Sequence, residues 1–536
     1  MGWTGVNDSI RFFCLKEESS VRMEELDLGK QFVRSKSNQR MLNSILNLFP
    51  LPVTVVCETG YVDKVYRDLY YTYFASKHLP YSKDCWRLSF FCGELGVEDF
   101  YTYSEANEKC LQESFAGICV LRPLAIGMVG RTLLDPDKLK IQSASIRTTK
   151  FSFIILGHEL VVRAFPFSSQ DAEVMTCSQT TVFNILEYFS VRYPEYRAVL
   201  PSQMMSEVEH RSTERVLPST GLHYLTMSAL LKTFGFSPRV YTREAFTSKD
   251  ETDKAKIPEK FKRIFHYYVE SGIPLAVGVD IAELSCGHAI NCIGHGQPKE
   301  DISGVKTCPI GQYQYINAAD LYDDYVVMDD NCYPYKIEGF DEIAPQYKTR
   351  SEVFMFAVPL YKRIFLEATD AAAILERIFQ MEEFSFAKVV PEVIKKTGEP
   401  VDVKNPLVLK IFLTSSRKYR KFRASKESDI HASAFYATLR LPKFIWVAEI
   451  STYCAYRRNE VFGEIVIDAT SRRREQILDS LILIRYLNFV GFRASAETNV
   501  DLNKMQKADV MKYPYCMYQN NLDEFGGKCD EHDFPA

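Results

Sequence analysis

The sequence predicts an α+β protein of several domains. Three observations carry this. A chain of 536 residues exceeds what one hydrophobic core organises and implies three or four domains. Short β-branched and aromatic runs alternate with amphipathic helical stretches in both the first and last thirds. In the middle, a helix-patterned run opened by a cysteine, at 177–191, precedes three strand-like runs, at 272–280, 288–294 and 325–329.

The first domain is expected over 1–150, as mixed α/β. Leu51 to Cys57 reads as a strand, Tyr61 to Phe74 as an aromatic-rich helix whose stripe faces a core, and Phe115 to Pro123 as a buried strand. Arg122 and Arg131 flank the loop from Pro123 to Gly130 and are expected to form structural salt bridges. The middle domain is expected over 151–360. The last, over 361–536, opens with a helix from Ala368 to Phe379 and has strands at Leu407–Leu413, Phe444–Ser451 and Gly463–Thr470. Between the first two of these strands, the basic run Ser415 to Lys426 reads as a solvated loop. The charged stretch Lys395 to Lys404, with Gly398 and Pro400, reads as a linker.

Composition excludes several classes of function. A net charge of −4 offers no basic field for nucleic acid. Apolar runs fall short of the roughly twenty residues of a membrane span. The N-terminus has no positively charged start leading into an apolar stretch. The fourteen cysteines contain no CxxC pair, and Cys286 and Cys292 stand apart by five residues, so neither a structural zinc site nor any other cofactor is expected. At this density free thiols in a reducing, cytoplasmic compartment are expected.

The middle segment carries the chemistry. Phe165 to Thr176 reads as loop, and Cys177 then opens the run Val182, Phe183, Ile185, Leu186, Phe189, Val191 at helical spacing. A cysteine there lies beside unpaired backbone N–H groups and the positive end of the helix dipole, a setting that favours thiolates. Gly287-His288 begins one strand, and Asp329, followed by Asp330, ends the next. A thiol hydrolase requires a histidine to take and return the thiol proton and a carboxylate or amide to orient that histidine. On a continuing strand only one of the two aspartates can face His288. Asp329, the first after the apolar run, is favoured, with Asp330 as the alternative.

These residues resemble a papain-like cysteine peptidase, closest to the bacteriocin-processing peptidase domains of ABC exporters and their free-standing relatives. Gln170, Cys177, Gly287-His288 and Asp329 match the family's glutamine, helix cysteine, Gly-His strand and strand-terminal aspartate. The stretch from Ser219 to Tyr241 is similar to its helix-Gly-strand unit. The resemblance covers roughly residues 155–360 and implies a central papain-like domain, with a helix bearing the cysteine packed on an antiparallel sheet bearing His and Asp. It further implies that Cys177, His288 and Asp329 form a catalytic triad, with Gln170 as an oxyanion donor. Gln170 precedes Cys177 by seven residues, one more than is usual in the family, which calls for a bulge at Asp171 to Glu173; Gln179 is the alternative donor. Ser178 stands where a glycine commonly follows the nucleophile.

The resemblance implies a protein or peptide substrate, with no nucleic acid or membrane as partner. Two other readings stay open. Transglutaminases and arylamine acyltransferases share the same order of residues and the same first thioester step. A degenerate peptidase fold serving protein interaction would lack a hyperreactive thiol. Against every functional reading stands the plain one that a lone cysteine on an apolar helix is usually a packing residue. Among the other histidines, His158, His223 and His295 are expected to be structural or exposed.

Overall fold

In the computed structural model, which describes residues 9–16, 35–247, 258–282, 287–347, 349–471, 477–492 and 506–526, strands and helices combine in an α+β architecture. Among the described residues the strands form three large sheets and two small ones. The first large sheet is an antiparallel meander of β1 (Ile10–Leu15), β2 (Val53–Tyr61), β3 (Cys85–Cys92), β4 (Phe115–Leu121) and β5 (Val129–Leu134). β4 is buried along its whole length. Period-2 alternation is therefore missing from its sequence, and the strand reads as a continuous apolar run. The helix Lys64–Thr72 forms where the aromatic stripe predicts one, with Asp63 as N-cap accepting from the Tyr66 N–H at 2.8 Å.

The second sheet holds the candidate site. Its order is β15 (Lys336–Gly339), β14 (Asp324–Met328), β11 (His288–His295), β10 (Leu275–Ile281), β16 (Ser351–Val358), β9 (Arg239–Thr242). Neighbours along this order pair antiparallel. The far end of β11 also pairs with β6 (Ala144–Ile146), which in turn pairs with β25 (Asp523–Phe525). Residues alternate between two cores. Ala276, Ala289, Ile293 and Met328 pack with the helix Cys177–Arg192, whereas Val277, Ile290, Cys292 and Val327 pack with the helix Glu259–Glu270. The alanines at the first face let the cysteine-bearing helix approach closely. That helix is buried nearly all round, which is why its pattern is apolar on every side.

The third sheet runs β12 (Cys308–Ile310), β13 (Tyr313–Asn317), β17 (Leu407–Ser415), β18 (Phe444–Thr452), β20 (Gly463–Asp468), β21 (Leu481–Tyr486), β22 (Phe489–Phe492), β23 (Gln506–Lys507). The small sheets are the hairpin β7 (Thr149–Ile155) with β8 (His158–Ala164), and the pair β19 (Glu460–Val461) with β24 (Tyr515–Cys516). Sheet membership crosses the boundaries drawn at 150 and 360. β12 and β13 precede residue 360 yet belong to the third sheet, β13 pairing parallel to β17, while β25 returns from the far end of the chain to the second.

One segment differs from its sequence reading. Ser416–Lys426, expected as a solvated loop, is a helix capped by Ser415. Its Tyr419, Phe422 and Arg423 are buried, and Arg423 pairs with Glu449 at 2.5 Å and Glu464 at 2.7 Å. The surrounding lysines and arginines hid a three-residue inward face. Arg131 makes the expected ion pair, with Glu187 at 2.5 Å. Arg122 instead donates to the carbonyls of Gly127, Val129 and Ser169. No helix among the described residues is long and apolar enough to cross a membrane.

Candidate functional site

Cys177 is the first residue of its helix, as the pattern predicts. Thr176 holds the N-cap position without capping: its hydroxyl donates to the side-chain Oε1 of Gln179, so no side chain at the cap covers the first-turn N–H groups. The approach from Gln170 is held by Asp171, whose Oδ1 accepts from the N–H groups of Glu173 (2.9 Å), Val174 (2.7 Å) and Met175 (2.9 Å). Ala172 sits in the left-handed region at φ 59° inside this turn. The chain between Gln170 and Cys177 thus makes a tight turn at Asp171 to Met175. Gly127 backs the loop: it has φ +75°, and a Cβ there would lie 2.2 Å from the Gln170 carbonyl oxygen.

The first sheet therefore braces the site. Arg122 ties the end of β4 to the Ser169 carbonyl at 2.7 Å, Arg131 ties β5 to the cysteine-bearing helix, and Lys77 pairs with Glu173.

His288 opens β11, and its Nε2 meets Asp329 Oδ1 at 2.9 Å. Asp329 thus takes one ring nitrogen, and Cys177 lies near enough to His288 to favour the imidazolium. His288 is 6% exposed and Asp329 1%. Burial disfavours the imidazolium, but the charge of Asp329 and its hydrogen bond outweigh burial, and Cys177 and Asp330 add to them. His288 is held protonated well above its ordinary range. Asp329 is lowered: burial opposes its charge, and His288 and the Asn331 N–H prevail.

Both aspartates reach the imidazole. β14 ends at Met328 and the chain turns, with the Cys332 N–H donating to the Asp329 carbonyl at 2.9 Å. This turn brings Asp330 Oδ1 to 3.7 Å from His288 Nε2. The expectation that only one could face His288 assumed a strand that continues, and the strand stops one residue earlier.

Several residues of the site carry no signal in the sequence. Gln346 donates its amide to Asp329 Oδ2. The Tyr347 ring lies edge-on to His288, centroids 5.5 Å apart. Asn331 donates to the Tyr347 hydroxyl at 2.8 Å, and its Oδ1 accepts from Gln170 Nε2 at 2.8 Å. Asn291, in β11, donates to the Thr181 carbonyl at 3.0 Å and so fixes the cysteine-bearing helix against the strand that presents His288. These side chains come from turns and from a strand interior, where neither periodicity nor motif marks them.

Gln170 is thus joined to the group around His288 through Asn331. Gln179 is placed differently: fully buried, its Nε2 donates to Ser219 Oγ at 2.5 Å and its Oε1 accepts from Thr176 and Ser178. His158 is buried against Glu108 and the Phe100 carbonyl, His295 is buried against Glu270, and His223 caps the helix Tyr224–Thr233. Cys286 lies outside the described residues. The described cysteines are free thiols.

A half-buried thiol stands beside a buried imidazole and a buried carboxylate, an arrangement that can move a proton away from sulfur and return it. One ligand atom each of His288, Asp329 and Asp330 lie within 4.8 Å of one another, a spacing a cation can bridge. Both oxygens of Asp329 are already engaged, by His288 and Asn331 on one side and Gln346 on the other. The sequence matches no known family model and no curated protein.

Proposed function

We propose that this protein is a papain-like cysteine peptidase acting on a protein or peptide in the cytoplasm. The observation that carries the reading is the grouping of Cys177, His288 and Asp329, built from a helix N-terminus, the first residue of β11 and the turn that follows its antiparallel neighbour β14. In this reading Cys177 sulfur attacks the scissile carbonyl carbon and His288 gives its Nδ1 proton to the leaving amine. A water molecule, deprotonated by the same nitrogen, then hydrolyses the thioester. Asp329 keeps the Nε2–H directed at itself, so that Nδ1 is the atom that works.

The oxyanion would be met by the Cys177 N–H and by the Gln170 side-chain amide released from Asn331. Each donor in such sites contributes about 3 kcal/mol to transition-state binding. The first sheet, braced against the Gln170–Cys177 loop, would set the shape of the approach to the sulfur.

Iodoacetamide and a peptide vinyl sulfone applied to the native protein at pH 6, with the modified cysteine mapped by mass spectrometry, test the reading. Cys177 should be modified first. Faster reaction at any other cysteine would remove Cys177 as the nucleophile.

A further inference from the structure

Asp330 is a buried carboxyl whose surroundings do not account for it. It is 5% exposed, and neither carboxylate oxygen has a hydrogen-bond partner among the described residues. Asp329, its neighbour, accepts from His288, Asn331 and Gln346. A buried anion without donors is costly, and the cost grows beside a second anion. Its nearest source of relief is the same imidazole edge that Asp329 uses, 3.7 Å away.

We propose that Asp330 is a positioning residue that acts through His288: its carboxyl shares the Nε2 edge with Asp329, and when it loses its proton it tightens the hold of the imidazole on its own. The inference rests on the peptidase reading only for its purpose, which is to close the alkaline end of the range in which His288 passes a proton to and from the thiol.

The direction follows from the charges. Burial pushes the Asp330 carboxyl up to about 8; the His288 cation pulls it down and the Asp329 anion pushes it up. Below that value Asp330 is neutral and Asp329 alone supports the imidazolium. Above it, a second negative charge stands at the same edge, and proton loss from His288 moves to higher pH. The other titratable groups around the pair are Cys177 on the helix, Cys332 and Tyr347 in the turns, and Lys336 and Glu338 on β15, the last two paired with each other. Replacing Asp330 leaves all of these in place.

The test is the pH titration of His288 in the full chain, followed by NMR of histidine-labelled protein with the His288 signal assigned from His288→Gln. In Asp330→Asn, with its fold checked by circular dichroism, the His288 midpoint should fall by about one pH unit or more, and Asp330→Glu should restore it. An unchanged midpoint in a folded Asp330→Asn would overturn the proposal, because a packing role alone does not move it. Dependence of the wild-type midpoint on prior dialysis against EDTA would also overturn it, by showing a cation in place of the proton. Should Asp330→Asn not fold, the wild-type curve decides: the His288 signal must register a second ionisation near pH 8, and a single clean step rejects the proposal. The readout uses neither substrate nor turnover, so it stands or falls separately from the peptidase reading.

Discussion

Gln170 spends its amide on Asn331, and that bond defines what its replacement should do. Gln170→Ala should lower kcat on a cleavable peptide about a hundredfold or more while leaving alkylation of Cys177 nearly intact, since an oxyanion donor acts on the transition state. A variant of unchanged kcat would assign the oxyanion to backbone N–H groups alone. Asp329→Asn replaces the anionic acceptor at His288 Nε2 with a neutral amide that can also donate, and should depress turnover by about three to four orders of magnitude, by comparison with serine triads. Asp330→Asn should cost far less. Stability separates the two aspartates by sign. The folded-state pKa of Asp330 is raised, so the folded form holds a proton that the unfolded form gives up between about pH 4 and 8, and stability falls across that window as pH rises. Asp330→Asn should therefore melt higher than wild type at pH 8 to 9, with the difference shrinking toward pH 5; a constant difference would mean that Asp330 does not titrate there. Cys177, His288 and Asp329 were legible in the sequence because each stands where a recognisable pattern begins or ends. Asn331, Gln346 and Tyr347 were not, because turn residues obey no period.

Among elements, the contact between β11 and the cysteine-bearing helix decides whether sulfur and imidazole meet. Asn291 holds it with one buried hydrogen bond to the Thr181 carbonyl, and Asn184 approaches Asn291 Oδ1 at 3.5 Å. Asn291→Leu should cost about 1–3 kcal/mol of stability and slow Cys177 alkylation; loss of stability with an unchanged alkylation rate would mean the two elements keep their register without it. The helix Ser416–Lys426 shows where a reading by composition fails. Seven of its eleven residues are Lys, Arg or Ser flanking Tyr419, Phe422 and Arg423, and charge dominated the pattern although three inward side chains decide the structure. Arg423→Met would leave Glu449 and Glu464 buried without their cation, and a loss of about 3–5 kcal/mol in chemical denaturation is expected. A loss below 1 kcal/mol would show that the fold does not depend on this buried ion pair.

At the scale of the molecule, the α+β class was legible, since alternating strand and helix signals survive along most of the chain. The way the sheets exchange strands was not, because pairing between distant segments leaves no local trace. β13 joins the third sheet from within the middle segment, and the stretch after β24 returns to the second. There Asn521 accepts from Arg147 at 2.5 Å through its carbonyl and donates to the Leu413 carbonyl at 3.0 Å, Thr148 donates to Asp523, and β25 closes on β6. This strap fastens both neighbouring sheets at once. Order of synthesis acquires a meaning from it. On the ribosome Cys177 and His288 emerge early, but the sheet that presents the histidine keeps an open edge at β6 until residue 525 has been added, so a nascent or prematurely terminated chain carries the thiol without its finished frame.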